Sequence, residues 1–175
     1  MHGIDDPDAP DDAALAAAAC AGDVRAFEAL VRRHESRVLR VLRLLGVHPQ
    51  EREDVAQEVF LRVFRHLGTF DRKRSFSSWI YKVSVNASHD WKDRRSSETD
   101  MEGVAEPSTP PSEDLGRRLE VALRALTDRE REVFILKELE GLETDEVAKA
   151  LGLNAITVRR HLGLARDRLK KILEG

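Results

Sequence analysis

Arg72, Lys73 and Arg74 stand just ahead of Phe76, Trp79 and Tyr81, and Lys82 closes the run RKRSFSSWIYK. The chain has two tryptophans and one tyrosine, and all three lie between residues 79 and 91. From Arg72 to Arg95 there are seven bases and two acids. Cations beside aromatic rings suit single-stranded nucleic acid: the phosphates meet the charge, and unstacked bases meet flat faces and pockets. Asn86, a few residues on, carries an amide that could bond a base edge or merely cap the surface of a helix bundle. The competing reading is packing alone, with Phe76, Ile80 and Val83 in a core and Trp79 sealing it.

A second cluster lies near the other end, where Thr157, Arg159, Arg160 and His161 come after Gly152-Leu153-Asn154. Val147, Ala148 and Leu151 mark a short helix before that tripeptide. Ile156, Val158, Leu162, Ala165 and Leu169 mark a longer one after it, for which Asn154 is a good N-cap. Two helices joined by a three-residue turn containing Gly form a helix-turn-helix. Burying Val158 and Leu162 turns Thr157, Arg159, Arg160 and His161 outward, where arginine can reach guanine acceptors or phosphates. From residue 155 onward there are six bases and two acids. A polar stripe at Asp54, Gln57, Glu58 and Arg62 reads as a solvated helix face or as a docking face for a partner helix.

Other chemistry is poorly supplied. The six histidines, at 2, 34, 48, 66, 89 and 161, form no i, i+4 pair and have no cysteine partners, so metal-ligand spacing is missing. There is no glycine-rich phosphate loop and no nucleophile elbow. The expectation is no metal, no cofactor and no catalysis by the chain itself. Cys20, the single cysteine, sits among alanines and reads as a packed small side chain in a reducing compartment. No apolar run approaches a membrane span and the start lacks the pattern of a signal peptide, so a cytoplasmic protein without membrane insertion is expected.

The elements that must position these residues are helices. Apolar residues recur three or four apart through Phe27, Leu30, Val31, Val38, Leu42 and Leu45, then through Val55, Val59, Val63 and Leu67, then through Phe76, Ile80, Val83, Ala87 and Trp91. Gly46 and Gly68 close the first two runs. No stretch alternates with period two, so the fold class is all-α, with a bundle of three or four helices that begins near the alanine-rich run at 13–21. Thr127 and Glu130 form a capping-box pattern that opens a further helix running to Gly141.

Charge divides the chain. Residues 1–12 and 96–115 hold 11 of the 32 acids and none of the 29 lysines and arginines. Residues 13–95 carry a net charge of +6 and residues 116–175 one of +2. Two small basic helical domains, 13–95 and 116–175, are therefore expected on either side of a flexible acidic linker, 96–115, after a disordered acidic tail, 1–12. A net +2 is weak for autonomous DNA binding, since affinity comes largely from neutralised phosphates.

This order of parts resembles bacterial RNA polymerase sigma factors of the extracytoplasmic-function type. The motifs are DVAQEVFLRVFRHLGTF, SFSSWIYKVSVNASHDWKDRR and LTDREREVFILKELEGLETDEVAKALGLNAITVRRHL, in order and correctly spaced, within 22–95 and 116–173. The resemblance implies a promoter-specificity subunit whose second-region and fourth-region domains bind core RNA polymerase and promoter DNA. It assigns Asp54, Gln57, Glu58 and Arg62 to the clamp coiled coil of the β′ subunit, and implies the β flap as a further polymerase contact. Phe70, Arg72, Lys73, Arg74, Ser75 and Phe76 become the loop that captures a flipped base of the −10 element, with Trp79, Lys82 and Asn86 beside it. Asn154, Thr157, Arg159, Arg160, His161 and Arg166 become the reader of the duplex −35 element. An anti-sigma protein is implied as a partner.

Two departures stand out. Arg160, His161, Gly163 and Leu164 replace the serine, the arginine and the residues beyond them in the family's usual recognition helix, which points to a different −35 preference. Gly163 also costs that helix about 1 kcal/mol relative to alanine. Trp91 and Asp93 stand where the family often has arginine. The rival reading is an autonomous helix-turn-helix regulator that binds duplex operators without polymerase.

Overall fold

In the computed structural model, residues 11–99 and 115–174 are described, and every regular element among them is helical. The expected tail and linker therefore lie largely outside the described residues. The first body contains α1 (Asp12–Cys20), α2 (Val24–Leu44), α3 (Arg52–His66) and α4 (Phe76–Thr99). The second contains α5 (Leu115–Arg124), α6 (Asp128–Phe134), α7 (Thr144–Leu151) and α8 (Ala155–Glu174). Helix α4 runs four residues past Arg95, where the sequence suggested that the first body ends. Among the described residues no helix is long and apolar enough to cross a membrane.

Local chemistry sets most helix ends. Asp23 caps α2, accepting from the backbone N–H groups of Arg25 and Ala26, and Ser75 caps α4, accepting from that of Ser78. The capping box at the start of α6 forms as the sequence predicts. The Thr127 N–H donates to Glu130 Oε2 at 3.0 Å, and the Glu130 N–H donates to the Thr127 hydroxyl. After Phe134 the helix widens into a π-helical turn, Ile135–Leu139. Gly152 adopts φ +65°, the left-handed conformation that favours glycine, and so ends α7 sharply enough to start α8 three residues later.

Two expectations needed correction. Cys20 is exposed, because α1 buries Leu15, Ala16 and Ala19 and residue 20 falls off that stripe. Helix α5 went unread, although Leu119, Ala122 and Leu123 have helical spacing; Ala122 and Leu123 are buried. Arg131 fixes the corner after it, donating to the carbonyls of Leu123, Arg124 and Leu126 at 2.8–3.2 Å. The guanidinium thus gathers carbonyls from the last turn of α5 and from the link to α6, where i→i+4 helical bonding has stopped.

Under the cationic loop, rings are stacked against the core. Phe76 lies 5.3 Å from Phe70, 5.7 Å from Trp79 and 5.0 Å from His34, centroid to centroid. His34 is 1% exposed, and its Nε2 meets Asp12 Oδ2 of α1 at 2.8 Å, while Arg33 donates to Oδ1 at 2.7 Å. Partial burial pushes the Asp12 carboxyl up, but hydrogen bonds from His34 and Arg33, with their charges, outweigh it and hold the group below its ordinary value. A carboxyl held low contributes stability above the unfolded-state value, near pH 4, and loses it as pH falls through the lower folded value. Asp12→Asn is therefore expected to cost about 1 kcal/mol near neutrality and nothing in strong acid. Denaturation midpoints of both chains from pH 7 down to pH 2 check this.

Candidate nucleic-acid and polymerase interfaces

The loop between α3 and α4 hangs on buried aromatic anchors. Phe70 and Phe76 are buried, so these two rings hold the loop in place and are not free to stack on bases. Arg72, Lys73, Arg74 and Ser75 are all exposed. Asp71 shapes the turn: its carboxylate accepts from the Lys73 N–H at 3.0 Å and its carbonyl from the Arg74 N–H at 2.9 Å. The result is a hydrogen-bonded turn that carries three cations.

Trp79, Lys82 and Asn86 continue the surface along α4, at the i, i+3, i+7 spacing of one helix face. Trp79 is half-buried, its ring 5.2 Å from Phe70, while Lys82 and Asn86 are exposed. Lys73, Arg74, Trp79 and Lys82 line one depression, and Asn86 lies exposed one turn further along the same face of α4. The other two rings of the opening cluster serve elsewhere. Tyr81 is buried, and Trp91 is buried with the Arg95 guanidinium 5.8 Å from its ring.

The polar stripe on α3 divides. Gln57 opens onto a groove of about 590 Å³ between α2 and α3, lined by Phe27, Val31, Leu39, Phe60, Leu61 and Phe64. Leu61 is 49% and Phe64 56% exposed. Asp54 and Glu58 instead border a depression shared with Trp91, Arg94 and Arg95 of α4. Arg62 links α3 to α4, donating to Glu58 at 2.7 Å and to Asp90 at 2.6 Å. The sequence shows Phe27 and Val31 only as part of an apolar helical repeat, and the groove they line went unnoticed. The signal was there: α3 carries Phe60, Leu61 and Phe64 in addition to the buried row Val55, Val59 and Val63, more apolar surface than one packed face needs.

In the second body α8 stands as the outer helix of the helix-turn-helix. Asn154 caps it, its Oδ1 accepting from the Thr157 N–H at 2.8 Å. Arg159 and Arg160 are exposed, and among the described residues neither meets a carboxylate. Arg166 is paired with Glu138 at 2.7 Å. His161 departs from expectation. It lies on the flank of the buried stripe, next to Leu162, and is half-buried with its Nδ1 closed off from solvent.

Carboxylates of the second body clasp the first. Glu140, 2% exposed, accepts from Tyr81 at 2.7 Å and from Arg40 at 2.6 Å. Glu132 meets His89 of α4, and Asp128 meets Lys92. Burial and the bond to Glu140 push the Tyr81 phenol well above its usual value, so it stays a donor across the working pH range. These pairs place α7 beside the cationic loop, with Glu146, Lys149 and Ala150 lining one groove with Arg74, Trp79 and Lys82.

Comparison with known proteins agrees with this division. The family model for sigma-70 region 2 matches residues 30–98, and that for sigma-70 region 4 matches residues 116–169. The RNA polymerase sigma factor CnrH of Cupriavidus metallidurans is 32% identical over 184 residues, which cover 94% of this chain and 96% of that protein. The extracytoplasmic-function sigma factor SigM of Mycobacterium tuberculosis is 31% identical over 173 residues, 93% of this chain and 84% of its own. Among solved structures, CnrH in complex with the cytosolic domain of CnrY superposes with a TM-score of 0.74 at 29% identity, covering 93% of this chain and 97% of that one. The sigma factor RpoE of Bartonella quintana, solved with the anti-sigma factor NepR, has the same fold, with a TM-score of 0.74 at 22% identity, covering 86% of this chain and 98% of that one. With both regions present, in order and over nearly the whole chain, this protein belongs to the extracytoplasmic-function sigma factors of the sigma-70 family.

Proposed function

We propose that the chain directs promoter recognition as the specificity subunit of RNA polymerase, with the residues described above in distinct roles. The observation that carries this reading is the exposed cationic turn, Arg72 to Arg74, anchored on buried Phe70 and Phe76 and followed along α4 by exposed Lys82 and Asn86. A surface of that kind fits an unpaired strand better than a duplex, because an extruded base can enter it edge-on and its phosphates lie against the cations. In this reading Asn86 bonds the edge of the captured −10 base and Trp79 offers it a ring face. Arg159 and Arg160 read the −35 duplex from α8.

The apolar groove of α2 and α3, with Gln57 at its rim, receives the β′ clamp coiled coil. A helix laid in a groove is recognised by apolar anchors, and Leu61 and Phe64 supply them. The reading places the chain where polymerase works, in the cytoplasm, with no catalysis of its own. It also gives the chain an anti-sigma partner, as the solved complexes of CnrH with CnrY and of RpoE with NepR have.

Run-off transcription from a promoter library, with and without cognate core polymerase, tests the whole. Discrete transcripts that need polymerase and share a two-part upstream motif are expected. Tight duplex binding by the chain alone, with no initiation, would establish the autonomous regulator instead.

Two variants separate the roles. Phe64→Asp is expected to weaken core binding about tenfold or more, as loss of an apolar anchor does, without unfolding a residue already more than half exposed. Fluorescence titration of labelled chain with core reads this out. Asn86→Ala should lower open-complex formation about tenfold, the worth of a good base-edge contact, while core affinity stays at the wild-type value. An equal fall in core affinity would remove Asn86 from strand capture.

A further inference from the structure

Two features of α8 stabilise nothing within the chain. Ile156, in the first turn, is 75% exposed, the highest value among the exposed large apolar residues of the described chain. Gly163, two turns on, has an ordinary helical backbone, and a Cβ built there would meet nothing within 4 Å. Neither packing nor conformation therefore calls for glycine. Both lie on one row, because residues 156, 160 and 163 have the i, i+4, i+7 spacing of a helix face. The row points away from Val158, Leu162, Ala165 and Leu169, which are buried in the body. Arg160 completes it, exposed and without a carboxylate partner among the described residues.

An apolar side chain, a free cation and a missing side chain in one line make a contact surface for something outside the chain. The cation and its neighbour Arg159 favour a polyanion over an apolar protein helix. The major groove of duplex DNA meets all three features: thymine presents its C5-methyl there, guanine presents acceptors to arginine, and a helix without a Cβ can seat more closely. We infer that Ile156 determines promoter specificity by packing on the methyl group of a thymine in the upstream duplex element, with Gly163 setting how closely α8 approaches. The inference rests on α8 being the duplex reader, and it adds a base that the arginines do not read.

The test removes one methyl group. Holoenzyme is assembled with wild-type chain, Ile156→Ala or Gly163→Ala, and a promoter recovered by run-off is used. Each upstream-element thymine on either strand is replaced in turn by deoxyuridine. At one position the wild type should lose about fourfold in open-complex formation, the worth of one buried methyl, while Ile156→Ala should lose nothing on the same change. Gly163→Ala should raise thermal stability yet lower promoter use. The inference is overturned if no thymine shows this coupling, or if Ile156→Ala weakens core binding instead, which would make the contact one with protein. Arg159→Ala and Arg160→Ala act as the control. If neither changes use of the upstream element, α8 is not the reader and both readings fall. If they do and Ile156 shows no coupling, the inference about Ile156 falls alone.

Discussion

Phe76 is the ring on which the first body depends. Three other rings close around it, from α2, from the loop after α3 and from α4 itself. A turn with three adjacent cations has no apolar surface of its own to bury, and its like charges push it open. Its shape must come from beneath, and the Phe70–Phe76–Trp79 cluster supplies it. His34 extends the support to α1 through Asp12. The N-terminal helix, outside the stretch that the region 2 family model matches, is thus tied to the support of the cationic turn. Rings that could have touched DNA instead hold the cations in place.

The second body obeys the same rule with polar groups. Its short helices bury little on their own, and their ends leave acceptors and donors that must be met. Arg131 meets three carbonyls at the α5–α6 corner, Thr127 and Glu130 cap α6 reciprocally, and Asn154 caps α8. Arg168 returns from α8 to Glu130 at 2.8 Å, tying the outer helix back to that cap. The outer face of α8 is thereby free of structural duty in its first turns.

Much of this was legible in the sequence, and the failures share a cause. Capping residues act within three positions of their own backbone, so Thr127, Glu130 and Asn154 could be read directly. Apolar spacing shows which residues can share a helix face, and it gave the three long helices of the first body. It does not show what covers a face. Phe27 and Val31 therefore fell in with the rest of their apolar repeat although they line an open groove, and Tyr81 was grouped with the rings beside the cations although it bonds Glu140. Residues 54, 57, 58 and 62 looked like one stripe, but they span enough of the helix circumference to divide between two neighbours. Ile156 is the contrary case: helical spacing already sets it opposite Val158, Leu162 and Ala165, and its apolar character alone made it read as one of the residues that mark the helix.

The clasp between the bodies has a thermodynamic consequence. Glu132 and Glu140 are almost wholly buried against the first body, and either carboxylate stripped of its partners in place would be a costly buried charge. Separating the bodies would rehydrate them, so salt and the electrostatics of a partner act directly on how firmly the clasp holds. Any ligand that needs the bodies apart binds with its intrinsic affinity scaled down by the open fraction. Conversely, a ligand that grips both bodies as they now sit gains from an arrangement already made. A handful of ordinary side-chain pairs thus sets a threshold on which partners can compete for this protein, before any of them touches a base or a groove.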